Sequence, residues 1–422
     1  MSHQPQTVLL PEEAVAPTGR KYSRYRFVIG GLVMFLNFSL GLSFFAISPV
    51  MPLIMDEYAV NRSAASLLTS LVILVQATFA IPGGMLVGRI GLKKLIAIGW
   101  LLGATPALSF LAPGFPYLLA LRVVYGLSFG ITMPAIGPLL MQWFPRKELP
   151  LVNSLAVAVV TLGISLSTFT VAPLSDVLGW QGAISIFGAV SLLGMACWLA
   201  LGRTQDFAVL GGTALSLRRV WGVLRSRTVI IMAAADAGPF AQYTALVAWL
   251  PTYYFEVHGM SLARSGSLVG ILPLSGVFSV LVAGLLTLRV RRRKPFIIVP
   301  GIFVAFAGIG SFLFADTIGV YPALVLLGFA SWFYLPILFT IPLEMPGATQ
   351  EQVSLMLASI MTLGSLLAFI SPLTVGFMTD ILGTYVPGFT LFAVLAFSLV
   401  IGGVLLPETG VTGRTSSNAT VR

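Results

Sequence analysis

Two charged residues stand where charge is expensive. Arg122 and Asp236 each interrupt a long apolar stretch of the 422-residue chain. An ionisable group in such surroundings costs at least ~2.5 kcal/mol on membrane-insertion scales, so it needs a partner or a watery cavity. An arginine there can pair a carboxylate or another small anion through charge-assisted hydrogen bonds, or it can snorkel to the nearer interface. An aspartate there can carry a proton, alternating between acid and carboxylate, or it can bond backbone groups freed by the neighbouring Gly238 and Pro239. Arg122 lies about five residues into its run and Asp236 about eight into its own, ~12 Å deep at 1.5 Å per residue. Their depths differ, so a direct salt bridge between them is not expected.

Weaker chemistry surrounds them. Asn37, Gln76 and Gln242 can bond a solute or a neighbouring helix. Tyr125, Tyr243, Trp249, Trp332, Phe333 and Tyr334 can wall a cavity or serve only in packing. Thr161, Ser165 and Thr168 recur at i, i+4 and i+7, which reads as close helix contact. No catalytic centre emerges: with one cysteine, Cys197, and two histidines, His3 and His258, a disulfide, a CxxC pair and a metal cluster are excluded. The phosphate-cradling GxxxxGK[ST] and the HExxH signature are absent. Neither enzyme activity nor a cofactor is expected.

The elements that must hold these residues follow from composition. Hydrophobic residues make up 57% of the chain and charged ones 9%, against about 25% charged in soluble domains, and the mean hydropathy is +0.97. A spanning helix needs roughly 20 apolar residues, and apolar runs fall at 27–54, 64–87, 95–112, 116–142, 151–174, 182–202, 228–255, 265–288, 295–315, 320–343, 353–379 and 386–406. The expected fold is an all-α membrane protein with twelve transmembrane helices. Its parts are a disordered tail (1–26), a six-helix half (27–202), a linker (203–227), a second six-helix half (228–406) and a second tail (407–422). The stretch around 215–224 reads equally as an interfacial helix or as plain linker.

Charge sets the orientation. With both termini in the cytoplasm, 21 of the 24 lysines and arginines lie on the cytoplasmic side, Arg62 and Arg264 outside, and Arg122 within a span, which is the asymmetry of the positive-inside rule. The net charge of +10 therefore faces lipid headgroups and cytoplasm rather than nucleic acid. A multi-pass protein of the plasma or inner membrane, monomeric and embedded in a lipid bilayer, is the expectation.

The halves resemble each other. Gly84-Met-Leu-Val-Gly-Arg89 returns as Gly284-Leu-Leu-Thr-Leu-Arg289, Pro49 as Pro251, Gly126 and Pro134 as Gly328 and Pro336, Thr161-Leu-Gly163 as Thr362-Leu-Gly364, and Asp176-Val-Leu-Gly179 as Asp380-Ile-Leu-Gly383. Five matches in one order point to parallel six-helix repeats about an axis along the membrane normal, with a cavity between them that rocking exposes to one side at a time.

Three motifs resemble the major facilitator superfamily of secondary transporters, over residues 25 to 406: Gly84-x-x-x-Gly88-Arg89-x-Gly91-x-Lys93-Lys94, Arg122-x-x-x-Gly126-x-x-x-Gly130, and the basic copy ending in Arg293-Lys294. The resemblance implies that spans 1, 4, 7 and 10 line the cavity and that Gly84, Gly88, Arg89, Gly91, Lys93 and Lys94 form a cytoplasmic gate. Gly88 departs from the family's usual aspartate, which puts part of that gate's lock in doubt. Gly163 is followed by Ile164 instead of the proline of the family's antiporters, which tilts the reading to uptake. Met141-Gln-Trp-Phe-Pro-Arg-Lys-Glu148 and Ala248-Trp-Leu-Pro-Thr-Tyr253 are similar to anion-transporting branches, including cyanate and organic-anion porters. Spans 2 and 8 lack the arginines of the nitrate group. The expected substrate is a small organic or inorganic anion, recognised through Arg122, with proton symport through Asp236. The alternative is proton-coupled efflux of hydrophobic or cationic compounds, with a channel or a receptor further behind.

Overall fold

The computed structural model describes residues 23–145, 147–205, 222, 225–287, 292–345 and 350–408. The expected tails and most of the 203–227 linker lie outside them. No strand occurs among the described residues. The helices are α1 (Arg26–Phe44), α2 (Met51–Tyr58), α3 (Arg62–Ile90), α4 (Leu92–Gly103), α5 (Phe115–Trp143), α6 (Leu149–Leu201), α7 (Arg227–Glu256), α8 (Leu262–Thr287), α9 (Pro295–Leu313), α10 (Val320–Glu344), α11 (Gln350–Leu382), α12 (Val386–Leu395) and α13 (Ser398–Leu405).

Ten stretches among the described residues are long and apolar enough to cross a bilayer. Two features account for the difference from twelve. Helix α6 is 53 residues long but is broken at Gly179, whose φ of 70° and ψ of 161° are non-helical, so it doubles as two of the expected runs. Helix α7, 30 residues long, is the other: Asp236, Gln242, Thr244 and Thr252 interrupt its apolar character. Elsewhere three runs are built from pieces: 95–112 from α4 and a 3-10 turn at Thr105–Leu111, 386–406 from α12 and α13, and the first run of the chain. That first run stops helically at Phe44, passes a 3-10 turn at Ser48–Val50 and resumes as α2, with Pro49 and Pro52 at the restart. Proline at a first helical turn loses no hydrogen bond, whereas inside a helix it does.

Packing repeats as the sequence does. In the first half α1 lies on α6 and α3 on α5; in the second α7 lies on α11 and α8 on α10. The halves meet through α6 against α8 and through α3 against α11, again related as repeats. Gly126 faces the backbone of Val72, and Gly328 faces the backbone of Leu272, so both α5 and α10 touch their partners main chain to main chain. Helices in lipid gain from such close approach because dispersion contacts replace the missing hydrophobic drive. The extreme case is Gly41 of α1 against Gly163 of α6: a methyl group on either would collide with a carbonyl of the other helix, Val160 or Phe38.

One end of the bundle gathers the basic residues. There the Tyr25 hydroxyl donates to the Leu201 carbonyl at 2.6 Å, Arg26 pairs with Glu148 at 3.4 Å, and Lys294 Nζ donates to the Val404 carbonyl at 2.9 Å. We call this the basic end and its opposite the distal end.

Candidate functional site

Burial changes along the central helices. Residues 39–52, in and after α1, and 241–254 of α7 are buried without exception, whereas 27, 28, 31, 34, 35 and 38 of α1 and 227, 230, 231, 234, 237 and 240 of α7 are partly or fully exposed. Half-exposed positions also mark the basic-end lengths of α5 (Met133, Gly137) and α10 (Leu335, Pro336, Phe339). The bundle is thus sealed towards the distal end and loosened towards the basic end.

Arg122 lies in the sealed part, 2% exposed. Its Nε donates to the carbonyl of Leu68 at 2.8 Å, and its two terminal nitrogens donate to Ser43 at 2.7 Å and Phe44 at 2.6 Å. Ser43 and Phe44 close α1, and the last carbonyls of a helix have no partner within it. Arg122 therefore caps the broken first span, and its charge opposes the negative end of that helix. The snorkelling alternative does not occur. Tyr125 follows suit: its hydroxyl donates to the Leu40 carbonyl and its ring lies 5.1 Å below the guanidinium carbon. Gly126 and Gly130 leave no groove beside Arg122, because α3 fills both positions at Val72 and Phe79.

Asp236 sits in α7 just before the sealed length begins and is 4% exposed. The Tyr334 hydroxyl of α10 donates to its Oδ1 at 2.9 Å, and its Oδ2 faces Gly364 of α11, where a methyl group would stand 2.7 Å away. Three helices of the second half thus converge on one carboxylate. The partners of Arg122 all belong to the first half and those of Asp236 to the second, and the two residues share no hydrogen bond.

The remaining expected residues divide. Asn37 Nδ2 donates to the Val33 carbonyl of its own helix at 2.9 Å, and Trp249 Nε1 to the Pro372 carbonyl of α11 at 2.9 Å, so both serve packing in this conformation. Gln76 is half-buried on α3. Gln242 is fully buried against Gly308, and neither of its amide atoms has a partner among the described residues. The rings of Tyr243 and Trp332 meet edge to face at 5.7 Å, with the Tyr243 hydroxyl and the Trp332 indole N–H beside each other. Phe45 of the opposite half reaches Tyr243 at 6.5 Å. Of the span-5 hydroxyls, Thr161 and Thr168 bond their own helix, while Ser165 crosses to the Gly270 carbonyl of α8 at 2.9 Å.

The motif expected to form the gate joins α3 to α4 at the basic end. Gly91 takes φ +80°, a conformation that favours glycine. Gly84 faces Pro134 of α5, and the position of Gly88 is open space. Arg89, Lys93 and Lys94 are exposed.

A second constellation escaped the sequence reading. At the distal end Arg62 donates from Nε to the Tyr385 hydroxyl at 2.8 Å and from a terminal nitrogen to Glu256 at 2.7 Å. Asp380 accepts from the backbone N–H groups of Arg62 and Ser63 at 3.2 and 2.8 Å and from the Ser63 hydroxyl at 2.6 Å. It thereby caps the N-terminus of α3 from the other half, a placement that the helix dipole favours. Tyr385 donates onward to Glu256 at 2.7 Å, and burial together with that carboxylate raises its phenol above the ordinary value. The signals were present in Arg62, one of two basic residues assigned outside, and in the repeated Asp380.

The comparisons agree with this architecture. The family model described as Major Facilitator Superfamily matches residues 33–372. The probable sulfoacetate transporter SauU of Cupriavidus necator is 23% identical over 390 residues, covering 85% of this chain and 89% of that protein. The probable chloroplastic anion transporter 4 of Oryza sativa is 28% identical over 219 residues, and the chain spans 36% of its length. A crystal structure of a bacterial homolog of the human lysosomal transporter Spinster, inward-facing and unoccupied, superposes with a TM-score of 0.69 at 16% identity, covering 91% of this chain and 96% of that one. With a family match across most of the chain, an all-helical bundle whose packing repeats, and the same overall fold as a solved transporter, the chain belongs to the major facilitator superfamily.

Proposed function

We propose that this membrane transporter moves a small organic or inorganic anion by alternating access, with proton symport through Asp236. The observation that carries the proposal is the placement of the Asp236–Tyr334 pair at the boundary between the sealed and the loosened lengths of α7, below a distal end clasped across the halves. By the positive-inside asymmetry the basic end is cytoplasmic, so this conformation is open inward. Opening outward requires the Arg62 clasp to break and the basic-end helices to close, with Gly84, Arg89, Gly91, Lys93 and Lys94 as the cytoplasmic gate.

The pair suits a proton carrier. As a carboxylate, Asp236 accepts from the Tyr334 hydroxyl; as an acid, it can donate to the same oxygen, because a phenol both gives and accepts. The contact survives either state, and the buried charge is removed when a proton is taken up. The anion is served by Arg122, which has five N–H donors, three of them bound to carbonyls. Its charge raises the potential around the sealed length even where it makes no direct contact. The anion-transporting relatives support the same substrate class.

Uptake into liposomes, with and without an imposed pH gradient, tests this after a thermal-shift screen of small carboxylates, sulfonates and cyanate. Gradient-dependent uptake that becomes gradient-insensitive in Asp236→Asn is expected. Gradient-insensitive transport by the wild type removes the coupling, and stabilisation by anions that persists in Arg122→Ala removes the anion site. One observation favours a second reading, transport of a lipophilic cation: half-exposed Met133, Gly137, Leu335, Pro336 and Phe339 offer only apolar surface, the last three on the helix whose Tyr334 holds the Asp236 carboxylate. Stabilisation by lipophilic cations alone, lost in Asp236→Asn, would select it.

A further inference from the structure

The outer face of the second half carries a concave site apart from the Asp236–Tyr334 pair. Between α9 and α10 a groove of about 380 Å³ is lined by Pro295, Phe296, Val299, Phe303, Leu326 and Phe333, with no polar lining. It opens away from the bundle: Val299, Phe303 and Leu326 are 47%, 42% and 36% exposed. Its wall is rigid, because Phe329 and Phe333 stack at 5.4 Å and Phe333 and Phe296 at 6.3 Å, with ring planes within 25°. Prolines at 295 and 300 carry short side chains and leave the channel unobstructed. From Pro295 to Phe303 it runs ~12 Å along α9 at 1.5 Å per residue.

A groove of this chemistry in a membrane-facing wall takes an acyl chain, and the basic residues just before its first lining residue, Pro295, add a charge preference. Lys294 directly precedes Pro295, and Arg292, two residues before Lys294, is exposed. Lys294 Nζ spends one of its three donors on the Val404 carbonyl. The backbone N–H groups of Arg293 and Lys294 are already taken by the Glu408 carboxylate, at 2.6 and 3.4 Å, so a headgroup must be met by side chains. Cationic side chains at an interface attract acidic lipid. We propose that this groove is a binding site for one acidic phospholipid, its acyl chain along the phenylalanine stack and its phosphate against Arg292 and Lys294. The occupant would support the site of transport, because Phe333 lies between Trp332 and Tyr334, and Tyr334 holds Asp236 from the other face of α10.

The test is thermal stability of the purified full chain in detergent with phosphatidylglycerol or with phosphatidylcholine of the same acyl chains. The expected result is a larger Tm increase with phosphatidylglycerol. The preference should vanish in Arg292→Glu, with half-maximal lipid concentration rising about tenfold or more, and Ala330→Trp, at a residue that also lines the groove, should abolish the response to both lipids by filling it. Equal stabilisation by the two lipids overturns the proposal, and so does an undiminished preference in Arg292→Glu. That variant is on the surface and folds whether or not Ala330→Trp does. Native mass spectrometry gives the second measurement: one retained phosphatidylglycerol per chain in the wild type and none in Arg292→Glu, whereas retention in both contradicts the site.

Discussion

At the level of single residues, what could be read from the sequence was the cost of a charge, and what could not was its partner. Arg122 and Asp236 declared themselves by interrupting apolar runs, but their partners are distant in sequence: carbonyls 54, 79 and 78 positions from Arg122 and a phenol 98 positions from Asp236. Backbone carbonyls carry no signature, so the capping of α1 was invisible until the break at Phe44 was seen. Arg122→Ala should strand these carbonyls in an apolar interior and cost about 2–4 kcal/mol, since buried groups left unpaired are expensive and charge-assisted bonds are the stronger kind. Arg122→Lys should recover part of the loss, as chemical or thermal denaturation of the two variants will show. Tyr334→Phe separates proton carriage from hydrogen bonding: coupling should persist at reduced turnover, in contrast to its abolition in Asp236→Asn, and liposome uptake at several pH gradients distinguishes them.

At the level of helices, hydropathy located the apolar runs but not their joints. Runs 5 and 6 were expected apart and form one continuous length broken at Gly179, while runs 1, 3 and 12 are each assembled from two pieces. The repeat predicted the joints better than hydropathy did: Gly179 and Gly383, matched in sequence, take φ of 70° and 69°. Alanine at either should cost about 1–2 kcal/mol, the penalty of a left-handed residue with a Cβ, and a Tm drop in both variants is the check. Glu57 and Glu256 are a further pair that the sequence comparison passed over. Glu57 accepts from Trp180 and Gln181 at 2.5 and 2.9 Å, much as Glu256 accepts from Tyr385, so each half fastens its last span in the same way. Gly163→Leu should be more damaging than Gly179→Ala, because it forces apart helices whose backbones touch. Loss of monodisperse protein in size-exclusion chromatography would register it.

At the level of the whole molecule, the paired halves and the side of the bundle that gathers basic residues were legible from repeats and charge counts, since both are properties of the chain's order. Which end is closed is a property of conformation and had to come from the packing. The distal clasp joins Arg62 and Ser63 of one half to Glu256, Asp380 and Tyr385 of the other, so Arg62→Ala should shift the population towards the distal-open form without unfolding either half. In the proposed cycle the basic-end motif acts in the opposite sense: Arg89→Ala should lower turnover more than substrate affinity, and Gly88→Asp should slow opening of the basic end, both measurable in liposome kinetics. The central claim is reciprocal opening. With Cys197 replaced and spin labels at Asp56 and Val257 on the distal end and at Leu151 and Ile230 on the basic end, pulsed electron–electron distance measurements in nanodiscs follow both mouths. The account predicts a short distal and a long basic distance in the wild type, and in Arg62→Ala a second population in which the distal distance lengthens as the basic one shortens. Both distances lengthening together, or neither changing in Arg62→Ala, would contradict it.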